Sequence, residues 1–238
     1  MDQDYLRNYK RLCKEHWWWR SRLISILKIL ENLTAKTPGV ERQILDVGCA
    51  DGVYFEEFGH YGDVKGLEPD PLLFSASNAK VINASLMEFD GDDQFDIILM
   101  LDVLEHIEQD EQALARIHAL LKKDGHLILT VPAFNLLYTR HDEINRHYRR
   151  YSRASLKALF SDNNWSVERQ EFLFVALAIM KLVVRLRERL SRPKTTSVGV
   201  PPRFLNRIAL AWHGAERMLF GVVSAPFGSS LLVVARKK

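Results

Sequence analysis

Asp46, Gly48 and Gly52 stand at the end of an apolar run, in ILDVGCADGVY over residues 44–54. Their types and spacing suit a ligand cradle. Glycine has no Cβ, so a strand that runs into a glycine turn brings backbone close to a ligand. The helix-like segment that follows offers unpaired N–H groups to a carboxylate. Glu68 follows a second apolar run, on the loop where a doubly wound fold reads ribose hydroxyls. The nearest rival is the dinucleotide fingerprint G-x-G-x-x-G, whose central glycine makes room for a pyrophosphate. Here that position is Ala50, and Asp51 stands where a pyrophosphate would be repelled.

Proton transfer has three candidates, His106, His141 and His147. His106 follows a strand, at the carboxyl edge where open α/β sheets bind ligands. The other two lie in RHDEINRHYRRYS, residues 140–152, after the next strand and on the same edge. Arg140, His141, Asp142, Glu143, Arg146, His147, Arg149 and Arg150 crowd this segment, with Tyr148 among them. Arginine takes carboxylate or phosphate in a bidentate way. The segment therefore suits an anionic acceptor or a phosphate-linked carrier. The alternative is a polar surface loop with local ion pairs. His141-Asp142 reads as a base with its orienting acid, or as a helix cap beside a spectator histidine. His141, Asp142 and Glu143 are adjacent, and adjacent side chains seldom converge on one ion. No metal is expected.

The elements that must position these residues follow from periodicity. Residues 5–33 read as helical, with Leu23, Ile24, Leu27 and Leu30 on one face, ended by Pro38-Gly39. Strands are expected over 44–47, 64–67, 81–84, 95–101, 126–131, 166–172 and 230–236, and helices from Asp70 and over 111–121 and 155–160. Strands alternating with helices imply a mainly parallel sheet. More than fifty residues separate the last two strands. They hold helical stretches at about 174–190 and 203–222, joined by a loop over 192–202. The organisation expected is a helical cap (1–37), a cofactor-binding core (38–172), a helical insert or lid (173–223) and a last core strand (224–238).

Composition narrows the class. The 238 residues are 47% hydrophobic, enough for one α/β domain with an insertion. Cys13 and Cys49 have no framework spacing, which suits a reducing cytoplasm. The first residues lack the apolar core of a signal peptide, and no apolar run is long enough to span a bilayer. Residues 172–223 hold nine Lys/Arg against Glu188 and Glu216. That is a net +7, leaving −4 elsewhere within the total of +3. A basic amphipathic helix pair could lie on an anionic membrane or hold a lipid phosphate. Otherwise it is a solvated face whose apolar side packs on the domain. No Asn-Pro-Pro-aromatic motif is present, and the basic charge accompanies apolar helices rather than a stacking platform. No nucleic-acid partner is expected.

ILDVGCADG, GLEPD, FDIILMLDVLEHI and GHLILTVPAF occur in an order and spacing that resemble class I S-adenosylmethionine (SAM) methyltransferases. The likeness is closest to the small-molecule group that includes quinone-biosynthesis enzymes, and covers residues 44–167. His16-Trp17-Trp18-Trp19 with Arg22, the 140–152 segment and PFGSSLLVVARK resemble a bacterial subgroup associated with glycan and lipid pathways. The resemblance implies a Rossmann-like, doubly wound, mainly parallel seven-stranded sheet with a helical insertion between the last two strands. It implies methyl transfer from SAM, leaving S-adenosylhomocysteine, to a small-molecule or lipid- or carrier-linked acceptor. Whether oxygen, nitrogen or carbon is methylated stays open. The alternative is a non-catalytic protein that binds SAM, a membrane or a partner. A cytoplasmic location is expected, with the insert touching the inner membrane as a further option.

By that resemblance, Asp46, Gly48, Cys49, Ala50 and Gly52 line the methionine end of SAM. Glu68 takes both ribose hydroxyls and Pro69 packs near adenine. Ser85-Leu86 stands where many relatives place an acid for the adenine amine. Leu101 and Asp102 face the methionine amine. The tryptophans are a packing anchor, or a cap over SAM with Arg22 reaching the cofactor carboxylate.

Overall fold

The structure is a computed structural model that describes residues 3–35, 37–74, 78–91, 94–161, 164–190, 199–220 and 225–238. Helices α1 (Gln3–Glu15) and α2 (Trp17–Thr34) lead into β1 (Gln43–Val47), α3 (Phe55–Phe58), β2 (Asp63–Leu67) and β3 (Val81–Ile82). Next come β4 (Phe95–Leu101), α4 (Asp110–Leu120), β5 (Leu121–Pro132), α5 (Arg140–Ile144) and α6 (Arg153–Leu159). The chain ends with β6 (Trp165–Leu173), α7 (Val175–Leu190), α8 (Arg203–Phe220) and β7 (Ser230–Lys237). The expected loop over 192–202 falls largely on residues 191–198, outside the described residues, as does the expected helix end beyond Phe220.

One seven-stranded sheet has the order β3-β2-β1-β4-β5-β7-β6. β1 pairs in parallel with β2 and β4, while β7 runs antiparallel between β5 and β6. Alternation along each buried strand divides the core between the two faces. Leu127, Leu129 and Val131 join α4 and α6 residues such as Ile117 and Leu156 on one face. Ile44, Ile128 and Val234 join Ile26, Ile29, Leu30 and Phe58 on the other. The two ends of the insert meet where β6 pairs with β7: Ser229 N donates to the carbonyls of Leu173 at 3.0 Å and Phe174 at 3.2 Å.

The N-terminal helix departs from the expected reading. It is two helices, because His16 adopts an extended backbone (φ −74°, ψ 132°) and caps α2, its ring accepting from Trp18 N–H. The capping ring satisfies an amide that a continuous helix would bond internally. The inward face of α2 is Trp19, Arg22, Ile26 and Ile29 with Leu30, whereas Ile24 is exposed. Among the described residues no helix forms from Asp70: residues 71–73 make a turn in which the Asp70 carboxylate accepts from Leu72 N–H, and 75–77 lie outside the described residues. Such local bonds compete with helix formation.

Candidate active site

β1 delivers Asp46 and then turns sharply. Gly48 sits at φ +73° and Gly52 at φ +80°, the left-handed region where a side chain is strained. A Cβ on Gly48 would lie 2.5 Å from Val103 Cγ2, so the turn and the end of β4 are in contact there. Ala50 is also left-handed, at φ +53°. Its N–H donates to Glu68 Oε2 at 2.9 Å, and Asp70 N–H donates to Glu68 Oε1 at 2.8 Å. Glu68 thus straps the β1 turn to the loop after β2. A carboxylate has about four acceptor sites, so one on each oxygen remains for a second donor. Burial pushes the Glu68 pKa up, against the two amides that lower it. Asp46 is 5% exposed, and burial pushes it to about 7, opposed by Arg22 and helped by Glu68.

The other expected cofactor positions divide. Cys49 is buried, and burial pushes its thiol well up. Pro69 is exposed beside the strap. Ser85 is engaged with Glu88, whose Oε2 accepts its hydroxyl at 2.7 Å and its amide at 3.1 Å. Leu86 places its side chain in the core, leaving only its backbone for a ligand. Leu101 is partly buried at the end of β4.

Asp102 follows it in a left-handed conformation (φ +58°) and accepts from Thr130 Oγ1 at 3.1 Å. Its other oxygen is ion-paired with Arg22 of α2. Arg22 is expected on the cofactor carboxylate, yet its charge is committed to Asp102. The guanidinium lies over the Trp18 ring, 4.9 Å from the centroid. Trp17 and Trp18 in turn pack on Phe174. The tryptophans anchor α2 and orient Arg22 at once. Lys10 of α1 pairs with Asp51 of the glycine turn.

On the acceptor side the structure favours the helix-cap reading of His141-Asp142 over the base-and-acid one: Asp142 Oδ2 accepts the Thr139 amide at 2.8 Å and the Thr139 hydroxyl at 3.2 Å at the start of α5. Asp142 orients His147, not His141: His147 Nδ1 lies 2.9 Å from Asp142 Oδ1. His141 is exposed and its ring meets Asn145 Nδ2. Within the short α5 helix, residue 141 turns outward while 142 is fully buried. Arg150 is also corrected. It is buried, donates to both Asp142 oxygens at 2.9 and 3.0 Å and to the Ala133 carbonyl, and so is an internal clamp. Burial opposes the Asp142 carboxylate, but His147, Arg150 and the Thr139 amide outweigh it and hold its pKa below the usual range. Arg149 binds Asp110 at 2.9 Å and the Glu108 carbonyl at 2.6 Å, which also takes it from the acceptor. Arg140 and Tyr148 are exposed; their amides donate to Glu188 and to the Glu105 carbonyl.

His106 stacks edge-on against His147 with centroids 4.6 Å apart, and burial lowers it to about 4. Two side chains escaped the sequence reading. Glu105 is 1% exposed and its Oε2 has no hydrogen-bond partner. Burial, then Asp102, raise its pKa well above the carboxylate range. Lys181 of α7 is lowered to about 8 by burial and by Arg150, with Asp142 opposing. Its signal was a single cation interrupting an apolar run. Glu105, His106 and His147 each bring one ligand atom within 4.8 Å of the others. That donor set, rather than the adjacent 141–143 trio, could hold a divalent ion.

A family model described as a methyltransferase domain matches residues 17–170, more than half of the chain. The chain belongs to this methyltransferase family. Its strand order is that of the class I SAM-dependent methyltransferase fold. The chain is similar to the mitochondrial ubiquinone biosynthesis O-methyltransferase of Schizosaccharomyces pombe, 26% identical over 151 residues. The match covers 55% of this chain and 55% of that protein, so the chain spans about half the length of that relative. The Glaesserella parasuis enzyme of the same description is 26% identical over 154 residues, covering 55% of this methyltransferase and 64% of that one. Among solved structures, an Archaeoglobus fulgidus SAM-dependent methyltransferase superposes with a TM-score of 0.58, at 16% identity over 99% of this chain and all of that one. The plantazolicin methyltransferase BpumL in complex with S-adenosylhomocysteine gives 0.61, at 13% identity, covering all of this chain and 91% of that one. Among the described residues, no helix is long and apolar enough to cross a membrane.

Proposed function

We propose that this methyltransferase binds SAM in the cleft of the β1, β2 and β4 ends and methylates an anionic, lipid- or carrier-linked small molecule. The observation that carries the reading is the Glu68 strap, a buried carboxylate with both oxygens tied to cleft loops and one acceptor site left on each. The Gly48 turn supports it, because a side chain there would meet Val103. So does Asp46, whose buried acid favours a cationic ligand group.

When bound, SAM supplies a methyl group on a sulfonium, which leaves as neutral S-adenosylhomocysteine. The chain's own residues then hold the acceptor and take its proton. Asp142 accepts the Nδ1 proton of His147, leaving Nε2 free to accept one. His147 Nε2 would take the acceptor X–H proton as the acceptor receives the methyl group. Orientation supplies much of the acceleration. Lys181, Arg140 and Tyr148 remain to bind an anionic acceptor. The domain division at 1–37, 38–172, 173–223 and 224–238 belongs to the same proposal, with cap, cofactor core, acceptor cover and closing strand.

Calorimetry with S-adenosylhomocysteine tests the cofactor site. Wild type binds, and Glu68→Ala loses about 1.5–3 kcal/mol for each charged hydrogen bond to the ribose. Equal affinity for both proteins would remove the ribose assignment.

A further inference from the structure

Helix α8 turns three polar side chains inward. On α8, Asn206 accepts Trp17 N–H at 2.8 Å and donates to the Glu15 carbonyl at 2.7 Å. His213 is buried and stacked on Phe174, centroids 4.4 Å apart. Glu216 accepts the Val175 and Ala176 amides at the start of α7. Turned away from Asn206 and His213, Phe204, Ile208, Trp212 and Leu219 share one helical face. They are 63%, 60%, 61% and 63% exposed, and Met218 beside them is 80% exposed. On α7, Ile179, Met180, Val183 and Leu186 are exposed as well. Twelve of the 22 exposed large hydrophobics among the described residues lie on these two helices. So large an apolar surface marks an interaction site.

We propose that α7 and α8 form a docking surface for an anionic lipid bilayer, with α8 lying in the headgroup plane. Charge selects this occupant. Arg203 and Arg207 are exposed and flank the apolar stripe, and Arg185 and Arg217 are partly exposed on the same two helices. Cations at the rim of an apolar face attract anionic lipids while their stems lie along the acyl boundary. Trp212 has an exposed ring, with its N–H held by Glu216 at 2.9 Å, and suits the membrane–water interface. A second copy of the chain would set the same arginines against one another across a two-fold axis. Over its described residues, neither helix is long and apolar enough to cross a bilayer. The surface therefore lies on the membrane.

The docked insert would also place the acceptor. Glu188 of α7 accepts Arg140 N–H at 3.3 Å, so α7 borders the acceptor segment. A bilayer holding α7 would bring lipid-borne molecules to the His106–His147 edge. This last step rests on the proposed methyl transfer; the docking does not.

The test is co-sedimentation of the full chain with phosphatidylcholine vesicles, with and without phosphatidylglycerol, at low and raised salt. Wild type should pellet with the phosphatidylglycerol vesicles and be released by salt. Arg203→Ser/Arg207→Ser should weaken binding about thirtyfold, a factor of about five per arginine near an anionic surface. Phe204→Ser/Ile208→Ser should weaken it about a hundredfold through lost apolar insertion. Both variants should keep the wild-type melting temperature and S-adenosylhomocysteine affinity. A wild type that ignores anionic vesicles at low salt overturns the proposal. So does a wild-type dimer that Phe204→Ser/Ile208→Ser splits into monomers. Should Phe204→Ser/Ile208→Ser melt early, the arginine pair decides alone. Vesicle binding without S-adenosylhomocysteine binding would sink the methyl-transfer reading and leave the docking standing.

Discussion

Gly48→Ala puts the cleft geometry under direct strain. At φ +73° an alanine pays about 1–2 kcal/mol for the left-handed conformation. Its Cβ would also stand 2.5 Å from Val103 Cγ2, which forces a shift worth about 1–3 kcal/mol of overpacking. Together these cost about 2–5 kcal/mol, or about 5–15 °C in melting temperature for a chain of this length. The two contributions separate in a cycle. Val103→Ala removes the obstructing methyl and costs about 1 kcal/mol alone, because Val103 is only partly buried. In the double variant the steric part should vanish, with a coupling energy of about 1–3 kcal/mol, while the backbone part remains. Thermal melts of the four proteins measure this. S-adenosylhomocysteine calorimetry should show about tenfold weaker binding for Gly48→Ala, since Gly48 N–H holds the Leu67 carbonyl at 2.8 Å and a shifted turn moves the strap. A Gly48→Ala protein that melts with wild type would refute the reasoning. Additive costs in the double variant would refute the role of Val103.

Asp46 sets a pH dependence. Its folded pKa of about 7 lies above an unfolded value of about 3.9, so the folded state keeps a proton that the unfolded chain sheds. Asp46 therefore lowers stability progressively as pH rises from about 4 to about 7. Melts of Asp46→Asn against wild type should coincide below that window and favour Asp46→Asn above it; a constant difference across it contradicts the assignment. Asp142→Asn should cost about 3–5 kcal/mol by leaving the buried Arg150 guanidinium without its charge partner. Denaturant melts read this, and a loss below about 1 kcal/mol would mean that the clamp carries little.

The strands were legible because each is an apolar run bounded by turn residues, and their alternation with helices implied the parallel sheet. The Gly48 turn was legible because a left-handed backbone restricts residue choice there, and the place of Glu68 because it follows a strand that is itself legible. The break at His16 was not, since a capping ring competes with a helix whose periodicity continues across it. Side-chain partners at a distance were also hidden. Arg22 pairs with Asp102 across eighty positions. Within residues 140–150, composition revealed the charges but not which faces of α5 they occupy, so the helix cap at Asp142 was one of two readings and the pairing of Asp142 with His147 was not visible. Arg149 and Arg150 looked like anion receptors because their internal acceptors, Asp110 and Asp142, become neighbours only in the fold.

The insert leaves the sheet after Leu173 and returns at Ser229, whose amide reaches the Leu173 carbonyl at 3.0 Å. Chain added at such a point lengthens a loop that the hairpin already closes, and each doubling costs only about 0.6 kcal/mol. Strand register and the cofactor cleft stay as they are. The β6–β7 corner is thus a socket: one cover could be exchanged for another over evolutionary time, or in the laboratory, giving a single catalytic chassis access to acceptors met in different surroundings.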